Sequence, residues 1–348
     1  MNILFFTRLY APHIGGVEKH VANLSRELIK KNHQVTILTE RFNPALPWHE
    51  LNHGVNIYRI PLSNSSRQNK KWIIWKWIWQ NKSLLKNADI IHIHDVFYWW
   101  LPFKLLFPFK KVFITFHGYE GINPPRRLVI LQRKLGEWLS SGTVCVGDFM
   151  RTWYLARPKL VIYGAVKPIK PTNSKSLRAI YLGRLSQDSG IMVYLQALKI
   201  LNVKNFPLGL DVFGDGPQLT EARKYAIAHN LDVNFKGMVI NAEQKLPNYR
   251  YAFVSRYLAI LEAMLAKIPV IAVYNNQIKY DYLTCHPQIK NMFLASKPQE
   301  VAKAVMVNTK IARQQKNKLD SSYNWAKAQT WQKLAGQYIS LYTNSSKT

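Results

Sequence analysis

The chain alternates short apolar runs with amphipathic segments along nearly its whole length. In the first half the apolar runs are NILFFT, QVTILTE, VNIYRI, ADIIHIH, KVFITFH, TVCVG and KLVIYG. The first run precedes a segment in which apolar residues recur at helical spacing, at Val17, Val21, Leu24 and Leu28. Short apolar strands separated by helices are typical of a parallel sheet that helices cover on both faces. The pattern therefore predicts an α/β fold with a doubly wound, Rossmann-like domain in this half.

A polar segment with two prolines, VKPIKPTNSKS at residues 166–176, interrupts the alternation and is typical of a domain linker. After it the pattern starts again with RAIYLG, LGLDVFG, VNFKGMV, YAFVS and PVIAVY, and helical segments follow to the end. We therefore predict two Rossmann-like domains, at residues 1–166 and 167–321. Such sheets bind ligands at the carboxyl ends of their strands, so two of them face to face would enclose a central cleft.

Composition limits the class of protein. The chain has 348 residues, 48% of them apolar, which is enough for two hydrophobic cores. Its two cysteines, Cys145 and Cys285, give neither a disulfide framework nor a metal-binding spacing. No apolar run reaches the roughly 18 residues that span a bilayer, and the start of the chain lacks the features of a secretion signal. We therefore expect a cytoplasmic protein.

The charge is strongly positive, because 48 Lys and Arg face 19 Asp and Glu, a formal net charge of +29. Both halves share the excess. Such a field favours anionic partners, among them phospholipid headgroups, lipid phosphates, sugar nucleotides and nucleic acid. The basic residues form no nucleic-acid-binding motif and are spread over both domains, which argues against a nucleic-acid partner.

Residues 67–86, RQNKKWIIWKWIWQNKSLLK, combine six basic residues and four tryptophans with no acidic residue. This composition is typical of a helix that lies at an anionic membrane surface. The candidates for membrane or acceptor contact are Lys71, Trp72, Trp75, Lys76 and Trp79. Residues 97–111, FYWWLPFKLLFPFKK, repeat the theme. The alternative is that both stretches simply cover the sheet and contribute aromatic residues to the core, and for 97–111 we favour that alternative.

Several strands end in residues suited to ligand binding. The first is followed by APHIGGVEKHV, in which a glycine pair opens a helix, where backbone amides can meet a phosphate. The others are ITFHGYEG, IYLGRLSQDSG, VFGDGPQL and FKGMV. These motifs supply Gly15, Gly16, His117, Arg184, Gly214, Gly237 and Met238 as candidates. The apolar groups beside Gly237 suit the faces of a flat base.

One carboxylate, Glu262, stands inside the apolar stretch FVSRYLAILEAMLAKIPVIAV. In a helix its neighbours three and four residues away are Leu258, Ala259, Leu265 and Ala266, so its own face is apolar. Glutamate is almost never fully buried without a partner. Glu262 therefore lies at the rim of a cleft or holds a polar ligand.

Taken in this order, the motifs resemble those of the group 1, or family 4, glycosyltransferases of the GT-B fold, and the resemblance covers nearly the whole chain. It implies that the first domain binds the acceptor, that the second binds the nucleotide sugar, and that residues 322–348 cross back to the first domain. It also implies metal-free catalysis without a cofactor, with which the absence of any Asp-x-Asp motif agrees.

The resemblance implies a role for each candidate. Glu262 would accept hydrogen bonds from the ribose hydroxyls of the donor, because a carboxylate offers paired acceptor sites. Arg184 would neutralise the departing diphosphate, beside Gly16 and its loop, and His117 would lie near the reacting sugar carbon. Backbone amides at Tyr257 and Leu258 would complete the phosphate site.

The sequence departs from the family pattern at two positions. Val254 stands where the family usually has a first glutamate, and Ser189 stands where it usually has a lysine five residues after the arginine. We consider Arg256 as a replacement for that lysine. The departures leave two interpretations, a divergent active branch with a shifted donor choice and a degenerate enzyme that still binds. The joint survival of the glycine loop, His117, Arg184 and Glu262 favours activity.

We therefore predict a metal-independent glycosyltransferase, retaining as the resemblance implies, that transfers a sugar from a nucleotide-sugar donor to a lipid-linked or glycan acceptor. It would act in cell-surface polysaccharide or glycolipid synthesis, peripherally attached to the inner face of the membrane. The alternative is a non-catalytic sugar-nucleotide or glycan binder with the same fold.

Overall fold

The computed structural model describes residues 1–62, 69–119, 124–169, 176–307 and 313–344, without the side chains of 313 and 314. It divides into two compact units. The first contains the described residues of Met1–Glu120, Pro125–Ile162 and Trp331–Thr348, and the second those of Gly121–Pro124 and Tyr163–Thr330. Parts of the predicted linker, of the loop after His117 and of the basic stretch at 67–86 lie outside the described residues.

The first unit is built on an eight-stranded sheet with the order β3-β4-β2-β1-β5-β6-β7-β8. Its strands are β1 Asn2–Thr7, β2 Gln34–Glu40, β3 His49–Asn52, β4 Val55–Ile60, β5 Ile90–His94, β6 Lys111–Phe116, β7 Gly142–Val146 and β8 Leu160–Ile162. Its first helices are α1 Gly16–Lys30, α2 Lys70–Gln80, α3 Ser83–Asn87, α4 Arg127–Leu139 and α5 Phe149–Trp153. Neighbouring strands are parallel except β3 and β4, which pair antiparallel.

The second unit is built on a six-stranded, entirely parallel sheet with the order β11-β10-β9-β12-β13-β14. Its strands are β9 Ala179–Leu182, β10 Leu210–Phe213, β11 Val233–Gly237, β12 Tyr251–Phe253, β13 Val270–Val273 and β14 Phe293–Ala295. Its helices are α6 Ile191–Val203, α7 Leu219–Ala228, α8 Tyr257–Leu265, α9 Gln277–Thr284, α10 Pro298–Val307 and α11 Arg313–Lys327. The strand order reverses between β9 and β12, and open α/β sheets bind ligands at such a point.

Continuous burial explains the apolar runs of the sequence. In β1 every residue after Asn2 is buried, and all four residues of β10 and β13 are buried. Helices cover both faces of such strands, so the runs do not alternate with polar residues. The predicted pair of doubly wound parallel sheets is confirmed. The pattern missed β3, a short exposed edge strand, and β14, a three-residue strand.

The last helix, α12 (Trp331–Asn344), belongs to the first unit and packs against α1. Two buried tyrosines attach it to the strands. The hydroxyl of Tyr338 lies 3.0 Å from Thr115 Oγ1, and the hydroxyl of Tyr342 lies 2.8 Å from His92 Nδ1. The predicted return of the C-terminal helix to the first domain is thus confirmed. Within the described part of the chain, no helix has the length and apolar character needed to cross a membrane.

Candidate active site

In the first unit, three histidines meet near the carboxyl ends of two neighbouring parallel strands. His94 ends β5, His117 directly follows β6, and His20 lies on α1. His94 Nδ1 lies 2.9 Å from His117 Nε2, within hydrogen-bonding distance. The ring of His20 stands edge-on to both, with centroid distances of 5.9 Å to His94 and 4.8 Å to His117. The sequence pointed to His117 and missed His20, a single histidine on the buried face of an amphipathic helix.

His92, the other histidine of IIHIHD, is held on both ring nitrogens. Its Nε2 lies 2.7 Å from Thr115 Oγ1, and its Nδ1 lies 2.8 Å from the hydroxyl of Tyr342. Tyr338 links the same Thr115 to His20, whose Nε2 lies 3.2 Å from the Tyr338 hydroxyl. The C-terminal helix therefore supports the histidine cluster, and His92 belongs to this supporting network.

Burial keeps these imidazoles neutral. It lowers the pKa values of His20, His92 and His94 well below their usual value, and neighbouring histidines add to the effect. Burial also lowers the pKa of His117 to about 3. A neutral imidazole carries one N–H and one lone pair, so each ring can donate one hydrogen bond and accept one.

The neutral cluster also has the chemistry of a metal site. One nitrogen each from His20, His94 and His117 lies within 4.8 Å of the others, and neutral imidazole is the metal-binding form. However, two of these rings already share the hydrogen bond between His94 and His117. A metal ion would have to replace that bond, so hydrogen bonding accounts for the arrangement.

Two further residues fix the segment that carries His117. The backbone N–H of His117 donates to Asp95 Oδ1 at 2.9 Å, and Arg133 donates to the carbonyl of Gly118 at 2.8 Å. The guanidinium of Arg133 also lies 3.8 Å from the ring centre of Tyr154. Burial raises the pKa of Asp95, although Arg133 and the N–H bond oppose the shift. No pattern in the sequence marks this pair, because Asp95 follows β5 whereas Arg133 lies on α4, beyond β6.

The carboxylate of Glu18 packs against the glycine loop before α1. Gly15 is the N-cap of α1, and a side chain there would collide with the carboxylate of Glu18. Glu18 is also paired with His13, with 2.8 Å between His13 Nδ1 and Glu18 Oε1. A Cβ at Gly16 would meet open space. The helix end that the resemblance assigns to the diphosphate therefore holds an internal carboxylate in this structure.

In the second unit, the candidate glycines form a close backbone junction at the ends of β9, β10 and β11. Gly214 has φ of 143°, and a Cβ there would overlap the carbonyl oxygen of Gly183. Its N–H donates to the carbonyl of Gly237 at 2.8 Å. Glycine is therefore required at position 214 for this close approach. Arg184 follows Gly183 and is exposed, and Met238 follows Gly237 and is 48% exposed.

The two departures from the family pattern lie close to each other. Ser189 and Val254 are both buried, and Ser255 Oγ donates to the carbonyl of Ser189 at 3.4 Å. Arg256 forms an ion pair with Asp188 and stays partly exposed. The structure thus brings Arg256 beside the segment that contains Ser189.

Lys279, which the sequence analysis missed, completes this cluster. It is 0% exposed, its Nζ donates to the carbonyl of Ser255, and it lies 4.6 Å from the ring centre of Tyr282. Burial lowers its pKa well below the usual value, and Arg256 adds to the shift while Asp188 opposes it. Burial alone would raise the pKa of Asp188, but Arg256, Ser186 and Lys279 outweigh burial and hold that pKa below its usual value. We call Asp188, Arg256 and Lys279 the charged cluster.

The start of α8 is already occupied by an aromatic pair. Tyr257 stacks on Tyr282 with 3.9 Å between ring centres, and the N–H of Tyr257 donates to the Tyr282 hydroxyl at 2.7 Å. A phosphate could use this N–H only by displacing the hydroxyl. Leu258 is half-buried, and Glu262, further along α8, is only 5% exposed. The structure therefore places Glu262 inside the unit.

The basic helix α2 presents four of its five candidates to solvent. Lys71, Trp72, Lys76 and Trp79 are exposed, whereas Trp75 is half-buried and donates from Nε1 to the carbonyl of Tyr98 at 3.0 Å.

Because crossover connections are right-handed, α2 and α4 cover the same face of the sheet. Helix α4 exposes a second apolar row, which the sequence analysis missed. The row consists of Leu128, Leu131, Leu135 and Trp138.

Two doubly wound parallel units with a C-terminal helix that returns to the first define a GT-B protein. Solved structures share this fold. Sucrose-phosphate synthase from Thermosynechococcus elongatus has a TM-score of 0.79 and 17% identity, covering 99% of this chain and 98% of that chain. Alr3699/HepE of Anabaena, in complex with UDP-glucose, has a TM-score of 0.71 and 15% identity, covering 98% of this chain and 99% of that chain.

Residues 14–166 match the model of Glycosyltransferase Family 4. The GPI3 subunit of phosphatidylinositol N-acetylglucosaminyltransferase from Saccharomyces cerevisiae (strain YJM789) is 23% identical over 257 residues, 66% of this chain and 56% of that protein. The alpha-monoglucosyldiacylglycerol synthase of Streptococcus pneumoniae is 25% identical over 322 residues, 78% of this chain and 71% of that protein. The chain thus spans about half the length of the yeast relative. The chain is therefore similar to the family 4 glycosyltransferases, with the family model matching its first domain.

Proposed function

We propose that the protein is a glycosyltransferase that moves a sugar from a nucleotide-sugar donor to a lipid-linked or glycan acceptor. The observation that carries the proposal is the backbone junction of Gly183, Gly214 and Gly237, with Arg184 exposed beside it, at the carboxyl end of a parallel sheet. Backbone that is bare of side chains next to a cation suits a diphosphate. A GT-B structure with UDP-glucose bound supports the donor class.

The proposed chemistry consists of charge stabilisation. Arg184 neutralises the diphosphate as it leaves, and Glu262 accepts hydrogen bonds from the ribose hydroxyls of the donor. His117 lies near the reacting sugar carbon, in an imidazole form that is neutral. Preorganised cations and N–H groups in a site without water are sufficient for breaking a glycosyl phosphate. We propose that the reaction is metal-independent and retains configuration.

The charged cluster contains a candidate replacement for the lysine that the family usually has at the position of Ser189. A charge-assisted contact to a diphosphate contributes about 1.5 to 3 kcal/mol, so its loss at Ser189 needs a replacement. Arg256 is the candidate because its guanidinium is partly exposed beside the segment of Ser189. The ion pair with Asp188 keeps the Arg256 guanidinium beside this segment. A bound diphosphate would compete with Asp188 for the same guanidinium.

We propose a lipid-linked acceptor and a membrane-facing surface formed by α2 and α4. The names of the two curated relatives describe a subunit of a phosphatidylinositol N-acetylglucosaminyltransferase and a synthase of alpha-monoglucosyldiacylglycerol, and both names contain a lipid. Helices α2 and α4 both pack on the turn at residues 97–99, through Trp75 with Tyr98 and Gly136 with Phe97. Their exposed tryptophans and leucines therefore share one face with exposed lysines, a combination that suits an anionic bilayer.

A non-catalytic binder of sugar nucleotides remains the second candidate, because Val254 is 1% exposed where the family has a sugar-binding glutamate. Calorimetric titration with UDP, GDP, ADP and their common sugars tests both candidates. Wild-type protein should bind one nucleotide selectively, and Arg184→Ala and Glu262→Gln should lose that binding. Lys303→Ala, which removes one exposed cation of the same unit, should retain it. Binding without sugar transfer to lipid-linked or glycan acceptors would support the binder, and no binding at all would refute both.

Cosedimentation with vesicles tests the membrane surface separately. Vesicles with an anionic lipid should bind the protein at low salt more strongly than neutral vesicles do. The double substitution Trp72→Ser and Trp79→Ser should weaken that binding. Trp48→Ser is the matched control, because Trp48 is 63% exposed in the same unit but lies outside α2 and α4. Equal binding of the double variant and the control would refute the assignment of this face.

A further inference from the structure

His94 is the most deeply buried ring of the histidine cluster formed by His20, His94 and His117. It is 1% exposed, and its Nδ1 lies 2.9 Å from His117 Nε2. Its other nitrogen, Nε2, is buried without a hydrogen-bond partner among the described residues. The ring of Phe5 stands edge-on to it at 5.1 Å and offers no oxygen or nitrogen. The single proton of this neutral ring must therefore be on Nδ1 or on Nε2.

The two placements of the proton differ in cost. With the proton on Nε2, a buried N–H has no oxygen or nitrogen acceptor, and orphaned N–H groups are rarer in proteins than under-satisfied acceptors. With the proton on Nδ1, the N–H donates to His117 Nε2, and only a lone pair stays unused on Nε2. The hydrogen bond made by one nitrogen decides the proton position of the whole ring. The second placement is therefore favoured.

We propose that His94 is a positioning residue that donates from Nδ1–H to His117 Nε2 and thereby fixes the proton of His117 on Nδ1. The inference rests on the proposed function only for its catalytic consequence. With Nε2 engaged as an acceptor, His117 presents Nδ1–H as a hydrogen-bond donor. His117 itself is only partly buried, so this donor can meet a sugar or phosphate oxygen of the substrate. The burial that lowers the His117 pKa agrees with a donor that stays neutral.

The supporting network agrees with a fixed ring position. His20 packs edge-on against both His94 and His117. His20 is in turn bonded to the Tyr338 hydroxyl of α12. The backbone of His117 is held by Asp95. A 180° rotation of the His94 ring would break its hydrogen bond to His117, and the same rotation of the His20 ring would break its bond to Tyr338. The packing of the unit therefore fixes the orientation of these rings.

Long-range ¹⁵N–¹H NMR of the full-length protein without any donor reports directly which histidine nitrogens carry protons. The signals are assigned by their loss in His94→Asn and His117→Gln. We expect a protonated Nδ1 and a bare Nε2 for His94, and a protonated Nδ1 for His117. A His94 ring protonated on Nε2, with its N–H over the ring of Phe5, would overturn the proposal. Because no nucleotide sugar is present, this result is independent of the proposed function.

Two variants then separate positioning from general packing. His94→Asn keeps a donor toward His117 Nε2, so His117 should keep its proton on Nδ1. His94→Leu removes the donor, and His117 should shift at least partly to the Nε2–H form. In sugar transfer we expect His94→Leu to lower kcat by about 10-fold or more and His94→Asn to restore most of it. An unchanged His117 proton position in folded His94→Leu would also overturn the proposal. If His94→Leu does not fold, the wild-type spectrum decides alone.

Discussion

Replacement of Lys279 by methionine should make the protein more stable near neutral pH and less stable near pH 10. Lys279 Nζ is fully buried between the Ser255 carbonyl and the Tyr282 ring, close to the guanidinium of Arg256. A buried ammonium beside another cation loses hydration that its partners replace only in part. Methionine has a similar shape and no charge, so the substitution tests the cost of that ammonium.

The sign follows from the direction in which the pKa moves. Burial places the pKa of Lys279 in the folded protein well below the ordinary value of 10.5, so the unfolded chain binds the extra proton first. Stability is then lost as pH falls from about 10 toward the folded-state pKa, by about 1.4 kcal/mol for each pH unit that separates the two pKa values. Methionine removes this loss but leaves the Ser255 carbonyl without its donor, at a cost of about 1 to 3 kcal/mol.

The net effect should therefore reverse with pH. At pH 7 we expect Lys279→Met to be more stable by about 1 to 3 kcal/mol, because the cost of burying the ammonium exceeds the lost hydrogen bond. At pH 10, half a unit below the ordinary pKa of 10.5, the unfolded lysine is still mostly protonated, but the cost of releasing that proton on folding has fallen to about 1 kcal/mol. The lost hydrogen bond, about 1 to 3 kcal/mol, then outweighs that cost, and the variant should be less stable by up to about 2 kcal/mol. For a unit of this size, 1 kcal/mol shifts Tm by roughly 2 to 4 °C.

Scanning calorimetry of the full-length protein at both pH values measures the reversal. Lys303→Met is the matched control, because it removes an exposed lysine of the same unit and should change Tm little at either pH. An equal loss of Tm in Lys279→Met at pH 7 and pH 10 would show that Lys279 stabilises the fold as a charged group. A stability cost from the buried ammonium would then be refuted.

Three further predictions concern stability. Gly214→Ala should lower Tm strongly, because a Cβ would overlap the Gly183 carbonyl, whereas Gly336→Ala, which meets open space in α12, should raise stability by about 0.5 to 1 kcal/mol. Tyr338→Phe should cost about 1 to 3 kcal/mol in thermal unfolding, because it removes the hydroxyl that bonds Thr115 and His20. The folded-state pKa of Asp188 is lowered, so its contribution is present above pH about 4 and is lost as pH falls through that lower pKa. The stability difference between wild type and Asp188→Asn should therefore shrink on acidification, and a constant difference would contradict this.

The fold could be predicted from the sequence because its strands are buried on both faces. Runs such as NILFFT and PVIAVY can hardly lie at a surface, and their alternation with helices leaves few arrangements besides doubly wound parallel sheets. Short or exposed strands lack such continuous apolar runs. This is why β3, with the sequence HELN, and β14 were missed.

Most of the site candidates in the two sheets came from a single signal, a polar or glycine residue at the carboxyl end of a strand. His117 and Gly214 directly follow β6 and β10, and Arg184 lies one residue further on after β9. The carboxyl ends of parallel strands share one edge of each sheet, which is why such residues stand out as candidates. Lys279 has no such signal, since its helix has the pattern of an ordinary polar helix. Its position arises from the pairing of β9, β12 and β13, which brings together the segments that follow these strands, 91 positions of sequence apart from Asp188 to Lys279.

The sequence also does not predict which face of a helix packs against the sheet. In α4 the residues Leu128, Leu131, Leu135 and Trp138 recur at helical spacing, a pattern that usually marks the face packed against a sheet. The structure instead exposes this row, and Gly136 packs against Phe97. Periodicity gives the position of an apolar face along a helix but not its partner, so an exposed face is identified only by the packing.

The charged cluster bears on whether the departures at Val254 and Ser189 mark loss of function. A chain that drifts away from activity gains stability by replacing a buried lysine with an apolar residue, since that change removes a desolvation cost. Lys279 is nevertheless fully buried, and it lies with Asp188 and Arg256 around the segment where the family's lysine is missing. One cation is absent from the loop after β9, and two cations from neighbouring strand ends approach it. We therefore favour a rearranged donor site over loss of function as the reason why the buried Lys279 is retained despite its desolvation cost. If so, Lys279→Met should bind the nucleotide more weakly than wild type, although it is more stable at pH 7.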